Sequence, residues 1–190
     1  RRNYEYTNAD KAVTVGAEFE IRKNLDFLNS KLENFSVFAN LTYIYSKVTL
    51  ATTSGTGSAT TANRPLQGQS PYLVNVGLQY NSKKGGYSGS LLYNRIGERL
   101  YLVGINDLGF PDVYERPRNQ LDIQVAKKVL QNRGEFKLTW SDMLNAPYYF
   151  YENVGTKKAF NKSTDRLFNS YRPGSVISVG FTYDFNLGKK

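Results

Sequence analysis

Glu18 and Glu20 stand two residues apart in an alternating stretch, so both project from one face of an extended segment. Paired carboxylates of this kind could serve as general acid and base. Arg22 follows on the same face, and a hydrated wall of alternating charge accounts for all three residues without any reaction. Tandem lysines at Lys83–Lys84, Lys127–Lys128, Lys157–Lys158 and Lys189–Lys190 could hold phosphate, but no Gly-rich phosphate loop accompanies them. The 190 residues include neither His nor Cys. That removes His- or Cys-ligated zinc, haem anchors, Ser-His-Asp and Cys-His nucleophiles, and disulfides. No cofactor and no metal site are expected, and an enzyme is the least favoured class.

The 25 Lys+Arg against 16 Asp+Glu give a net charge of +9. A nucleic-acid footprint gathers on one face or one helix. Here the basic residues are scattered through connecting segments, which reads as solvated turns and no nucleic-acid partner. Hydrophobic residues make up 40% of the chain, enough for a packed structure. No apolar run approaches the ~18 residues of a membrane helix. No apolar stretch follows Arg1-Arg2-Asn3-Tyr4, so no secretory signal opens the chain. Neither absence bears on a membrane barrel, whose strands carry only an alternating pattern. A chain that begins within a longer protein is expected.

The elements that must position any site are strands, because the dominant period is two. Seven segments show it: Val13–Ile21, Phe35–Tyr45, Tyr72–Tyr80, Tyr87–Tyr93, Leu121–Val125, Phe136–Trp140 and Ile177–Phe185. No segment has a convincing helical stripe, and residues 25–32 read as a longer turn. The connections at 23–34, 81–86 and 130–134 are short, whereas those at 50–69, 104–118 and 145–174 are long. Within the first long connection, residues 51–58 are low-complexity and are expected to be mobile. Short turns at one end and long loops at the other describe an antiparallel up-and-down meander, the asymmetry of outer-membrane barrels.

One row of each strand is apolar and the other holds Gly, Ser, Thr, Asn, Gln and charges. In a soluble sandwich the apolar row would be the core. In a membrane barrel it meets lipid, and aromatics gather at the two interfaces. Tyr72 and Tyr80 bracket Val74, Val76 and Leu78; Tyr87 and Tyr93 bracket Gly89 and Leu91; Tyr43, Tyr45 and Trp140 close their own apolar rows. Such rings have one apolar and one wet end, as a girdle requires. Seven strands leave two open edges, which lipid does not tolerate, so the chain is expected to form part of a larger barrel. Asp142 continues the lipid row of Phe136, Leu138 and Trp140, which predicts a bulge or an interfacial position there. Arg95 and Lys127 read as strand-end residues that snorkel.

Three motifs carry a family resemblance. Ser178-Val179-Gly180-Phe181-Thr182-Tyr183-Asp184-Phe185 resembles the β-signal read by the barrel-assembly machinery, with Ser178, Gly180, Tyr183 and Phe185 at its defining positions. Arg64-Pro65-Leu66-Gln67-Gly68-Gln69-Ser70-Pro71-Tyr72 and Trp140-Ser141-Asp142-Met143-Leu144-Asn145-Ala146-Pro147-Tyr148-Tyr149, followed by Tyr171-Arg172-Pro173-Gly174, resemble the late barrel of TonB-dependent outer-membrane receptors of the Bacteroidetes type. The resemblance spans residues 11–185. It implies that residues 1–190 are the last seven strands of a roughly 22-stranded transmembrane barrel in the outer membrane of a Gram-negative bacterium. It also implies that the long connections face outside the cell, and that the plug and the segment contacting TonB lie upstream.

The function so implied is active import of a scarce solute such as an iron chelate, vitamin, glycan or peptide. The implied partners are outer-membrane lipid, TonB, the assembly machinery and a surface lipoprotein. Candidate solute contacts are Asn106, Asp107, Asp112 and Tyr114 in one loop, and Tyr149, Tyr151 and Asn153 in another; each could equally be a solvated loop residue. A passive channel or adhesin-like barrel shares every strand feature. A soluble all-β module binding glycan on its tyrosines is the third reading.

Overall fold

The computed structural model describes residues 9, 11–49, 63–82, 84–105, 109–154 and 160–185. Residues 51–58, Asn106 and Asp107 lie outside these. Twelve strands are formed: β1 (Lys11–Asn24), β2 (Phe35–Thr49), β3 (Asn63–Arg64), β4 (Tyr72–Asn81), β5 (Tyr87–Ile96), β6 (Arg99–Leu102), β7 (Val113–Glu115), β8 (Arg118–Val129), β9 (Gly134–Ser141), β10 (Tyr148–Glu152), β11 (Arg166–Tyr171) and β12 (Val176–Tyr183). The segment after β1 makes two short 3₁₀ turns, Leu25–Phe27 and Ser30–Leu32.

The seven segments with period two form one antiparallel meander, β1-β2-β4-β5-β8-β9-β12, with β3 added to the end of β2. Each of these strands pairs with the next period-two strand in sequence, through short turns at one end and long connections at the other. The register carries the apolar row across the whole sheet. Phe19 pairs with Leu41 and Leu41 with Val74; Leu78 pairs with Leu91, Leu91 with Ile123, Val125 with Leu138 and Leu138 with Val179.

The two faces differ in burial in the opposite sense to a soluble sheet. In β2, Leu41, Tyr43 and Tyr45 are exposed, while Thr42, Ile44 and Ser46 between them are half-buried. In β4, Val76 and Leu78 are exposed around a buried Gly77. Val15, Phe19, Phe136, Phe181 and Val179 (77%) are exposed too. Among the described residues no second layer covers this row. A continuous apolar surface of this extent is stable only against an apolar medium.

The polar row is the crowded side, and its groups bond both across strands and along one. Asn40 donates to Glu18, Asn94 to Asn75 at 2.5 Å and Thr42 to Asn40 at 3.2 Å. Arg22 lies 5.8 Å from the Phe38 ring rather than against a carboxylate. A Cβ added at Gly77 would fall on the Phe38 ring, so the glycine makes room for an aromatic laid across from the neighbouring strand.

Two of the long connections are not loops. Residues expected to be irregular at 104–118 and 145–174 contain β7, β10 and β11, and with β6 these form a second antiparallel sheet in the order β11-β10-β7-β6. The correction has a clear cause. These strands are three to six residues long, too short for alternation to stand out, and they pair across two connections far apart in sequence. The buried apolar cluster of the chain lies here: Leu100, Tyr114 and Tyr151, with Val103, Tyr149 and Phe160 against them.

Candidate functional site

The second sheet stands at the long-connection end of the meander. Its site begins with the segment that leads into β4. Gly68 adopts a left-handed backbone (φ 79°) and donates its N–H to the Leu100 carbonyl at 2.7 Å. Gln67 donates to the Tyr101 carbonyl at 2.8 Å, and Leu66 N–H donates to Ser46 Oγ at 3.0 Å. Ser70 is buried and donates to the Tyr72 carbonyl at 2.7 Å. The stretch from Arg64 to Tyr72 therefore ties β2, β4 and β6 together.

Asp142 and Asn145 tie the other side. Both have positive φ (51° and 42°), so the chain turns out of β9 just after Ser141. The turn takes Asp142 off the lipid row. Its carboxylate pairs with Arg118, both side chains being almost wholly buried, and its N–H donates to Asp122 Oδ1 at 2.6 Å. Arg118 also donates to the Ala146 carbonyl at 3.1 Å and lies 4.5 Å from the Tyr148 ring. Asn145 accepts from Arg172 at its carbonyl and from Gly174 N–H at its side chain, holding the approach to β12. Arg95 does not simply snorkel: it donates to Asn119 at 2.6 Å and to Tyr72 at 3.3 Å.

Within the second sheet Leu100, Tyr114 and Tyr151 are cross-strand neighbours, with Tyr151 fully buried. Tyr151 hydrogen-bonds the Glu98 carboxylate, which also meets the Phe160 backbone and the field of Arg116. Burial holds the Glu98 carboxyl above the ordinary carboxylate range, against these three opposing influences. Burial likewise pushes the Tyr114 hydroxyl up to about 12, helped by Asp112 and Glu98 and opposed by Arg64. It raises Tyr151 further, with Glu98 as the next cause. Arg116 lies 4.4 Å from the Phe160 ring, and Arg99 pairs with Glu115 at 2.7 Å.

Between this sheet and the end of β2 opens a cleft of about 430 Å³. Tyr43, Lys47, Arg64, Glu98, Arg99 and Tyr114 are among its lining residues. The Arg64 Nε is buried and has no hydrogen-bond acceptor among the described residues. The cleft can bind, with cations, a carboxyl group and a hydroxyl; among the described residues no group of three His, Cys, Asp or Glu is placed to hold a metal.

Of the candidate solute contacts, Tyr114 lines the cleft from within the buried cluster, and Tyr151 is sealed behind it. Asp112 is buried and accepts from Gly104 N–H at 2.7 Å. Asn153 N–H donates to the Asp112 carbonyl at 2.8 Å, and Tyr149 packs edge-on to Phe160. The structure thus brings Asp112, Tyr114, Tyr149, Tyr151 and Asn153 into one unit, as framework more than as surface. Arg64, Glu98 and Arg99 were not singled out as site residues by spacing; the Arg64 motif was the only signal pointing there.

The tyrosines expected at the interfaces fall on the apolar row. Tyr43 pairs with Tyr72, Tyr87 with Lys127, Phe35 with Tyr80, and Trp140 with Ile177. Tyr45 is exposed beside Tyr43, and Tyr93 donates to Asn119 at 2.9 Å. Ser178, Gly180 and Tyr183 lie on β12, which pairs only with β9 among the described residues; the Tyr183 and Phe185 rings meet edge-on at 4.7 Å.

A family model described as TonB dependent receptor-like, beta-barrel matches residues 1–132. No curated protein and no solved structure matches the chain significantly. The family is one of outer-membrane transporters rather than enzymes. The meander, its outward apolar row and this match agree: the chain belongs to the TonB-dependent receptor β-barrel family.

Proposed function

We propose that this chain forms the C-terminal wall of an outer-membrane barrel that imports a scarce solute with energy delivered through TonB. The observation that carries this reading is the pairing of an uncovered apolar face on the meander with an ordered second sheet at one end. The first needs lipid; the second gives a rigid mouth with a cleft, where a solute can be held before passage. Among the described residues β1 and β12 each leave an unpaired edge that a bilayer does not tolerate, so further strands would close the barrel, and a plug would block its lumen. The plug would carry the contact with TonB, and a surface lipoprotein would meet the second sheet.

The cleft suits a solute with an anionic or strongly polar group. Lys47, Arg64 and Arg99 face Glu98 alone among the lining residues that carry charge, so cationic donors outnumber the one carboxyl group. The test is uptake by the full-length receptor in cells grown with the solute limiting. Import that requires TonB and falls with Arg64→Gln, while folded receptor is still recovered, supports the reading. Import that survives loss of TonB, or steady conductance of the purified protein across a planar bilayer, identifies a passive channel instead.

A further inference from the structure

The two ends of the meander handle their cations differently. At the long-connection end Arg99, Arg118 and Arg166 are paired with Glu115, Asp142 and Glu152, and Arg116 and Arg118 also lie over aromatic rings. At the short-turn end Lys23 and Lys127 on the apolar row, and Arg133 in the turn between β8 and β9, rest on aromatic rings without a carboxylate partner among the described residues. Lys23 Nζ is 5.4 Å from the Phe27 ring centroid, Lys127 Nζ is 3.3 Å from that of Tyr87, and the Arg133 guanidinium is 5.2 Å from that of Tyr183. None of the three makes an ion pair among the described residues, although Asp26, Glu33, Glu135 and Asp184 stand on the same turns and strand ends. The one ion pair here, Lys137 with Glu135, spans 4.0 Å on the polar face.

A ring holds a cation in place without cancelling its charge. Lys127 shows the consequence. One donor goes to the Gly85 carbonyl at 2.6 Å and one side is covered by Tyr87, which leaves donor capacity for an anion. The register places Lys127 opposite Tyr87 and Lys23 opposite Val37, both on the row that meets lipid. The turns themselves carry exposed Phe27, Leu28 and Leu130. Apolar side chains on a turn beside uncompensated cations match the boundary where acyl chains end and phosphates begin.

We propose that Lys23, Lys127 and Arg133 form a belt that binds the phosphodiester of anionic phospholipid in the leaflet bordering the short turns. This rests on the membrane-barrel reading and adds to it a lipid preference at one interface. The acyl chains lie along the apolar row while the phosphate sits at the cation, so the recognised ligand is the whole lipid and not free phosphate.

The experiment uses the full-length receptor in nonionic detergent, titrated with phosphatidylglycerol or with phosphatidylcholine of the same chain length. Retained lipid is counted by native mass spectrometry. Phosphatidylglycerol is expected to be retained more tightly, and Lys23→Gln, Lys127→Gln and Arg133→Gln each to weaken it about fivefold. Lys127→Arg is expected to keep the preference, and millimolar inorganic phosphate to leave it unchanged. Equal retention of the two lipids, undiminished retention by the combined variant, or displacement by inorganic phosphate overturns the belt. Folding is followed by the shift in gel mobility on heating; if the combined variant lacks it, the single variants decide. A receptor that needs no detergent overturns the barrel reading, and the belt with it.

Discussion

The ring of Phe38 lies where a side chain on Gly77 would have to be, one strand away on the polar face. The pair locks β2 to β4 near the middle of the meander. Gly77→Ala is expected to push Phe38 off its rotamer and cost about 1–3 kcal/mol, the usual range for overpacking. Phe38→Ala should relieve most of that penalty in the double variant. Urea titration of the receptor in detergent, read by heat-dependent gel mobility, measures both; additive effects would show that the two residues do not interact.

Arg118 and Asp142 are a nearly buried pair. Removing one partner leaves the other charge uncompensated, at about 3–5 kcal/mol. Asp142→Asn separates charge from backbone, because Asn also tolerates the positive φ that Asp142 adopts. Asp142→Asn is therefore expected to lower the thermal stability of the second sheet, and Asp142→Ala to lower it more. Hydrogen exchange at β10 and β11 is the measurement, and unchanged protection in both variants would show that the Arg118–Asp142 pair does not support the second sheet.

Glu98 gives the second sheet a pH dependence. Its folded pKa is raised by burial, so its contribution is fully present below the unfolded carboxylate pKa and is lost as pH rises through the folded value. Protection of Tyr114 and Tyr151 amides, corrected for intrinsic exchange, should thus be greater in mild acid than at neutral pH. Glu98→Gln should abolish that difference while keeping a partner for Tyr151. A pH-independent wild type would contradict the assignment.

Tyr114 is raised to about 12 and should ionise about two pH units above a free tyrosine in an ultraviolet titration. Its stabilising contribution is present below pH 10 and disappears as pH rises through 12. Tyr151→Phe removes one hydrogen bond, worth about 1 kcal/mol, whereas Tyr151→Ala opens a cavity costing about 3–5 kcal/mol. Both effects should be confined to the second sheet and leave the urea midpoint of the meander unmoved.

Phe185 is 80% exposed beyond the end of β12, its ring edge-on to that of Tyr183. Phe185→Ala is expected to spare the stability of assembled barrel yet reduce the amount that reaches the outer membrane, if the terminal strand is read during assembly. Quantifying heat-modifiable receptor in outer-membrane fractions distinguishes this from simple destabilisation.

Alternation along each strand was enough to locate the seven strands of the meander, their neighbours and their apolar row. It is a local property: one strand, read alone, already says which residues share a face. The same logic flagged Asp142 as misplaced on the lipid row, although only the backbone turn shows how it escapes. The second sheet was not legible in this way. Strand β7 has three residues, and its buried partner strand β10 comes from a connection more than thirty residues later. Tyr114 and Tyr151 looked like free loop aromatics because burial there is created by two connections meeting, which no window of sequence contains. Residue order thus determined the meander and its two unlike faces. Tertiary pairing alone decided that the connections become a sheet, that Arg118 neutralises Asp142, and that Arg64 looks into a cleft, because each depends on groups brought together across strands rather than along one.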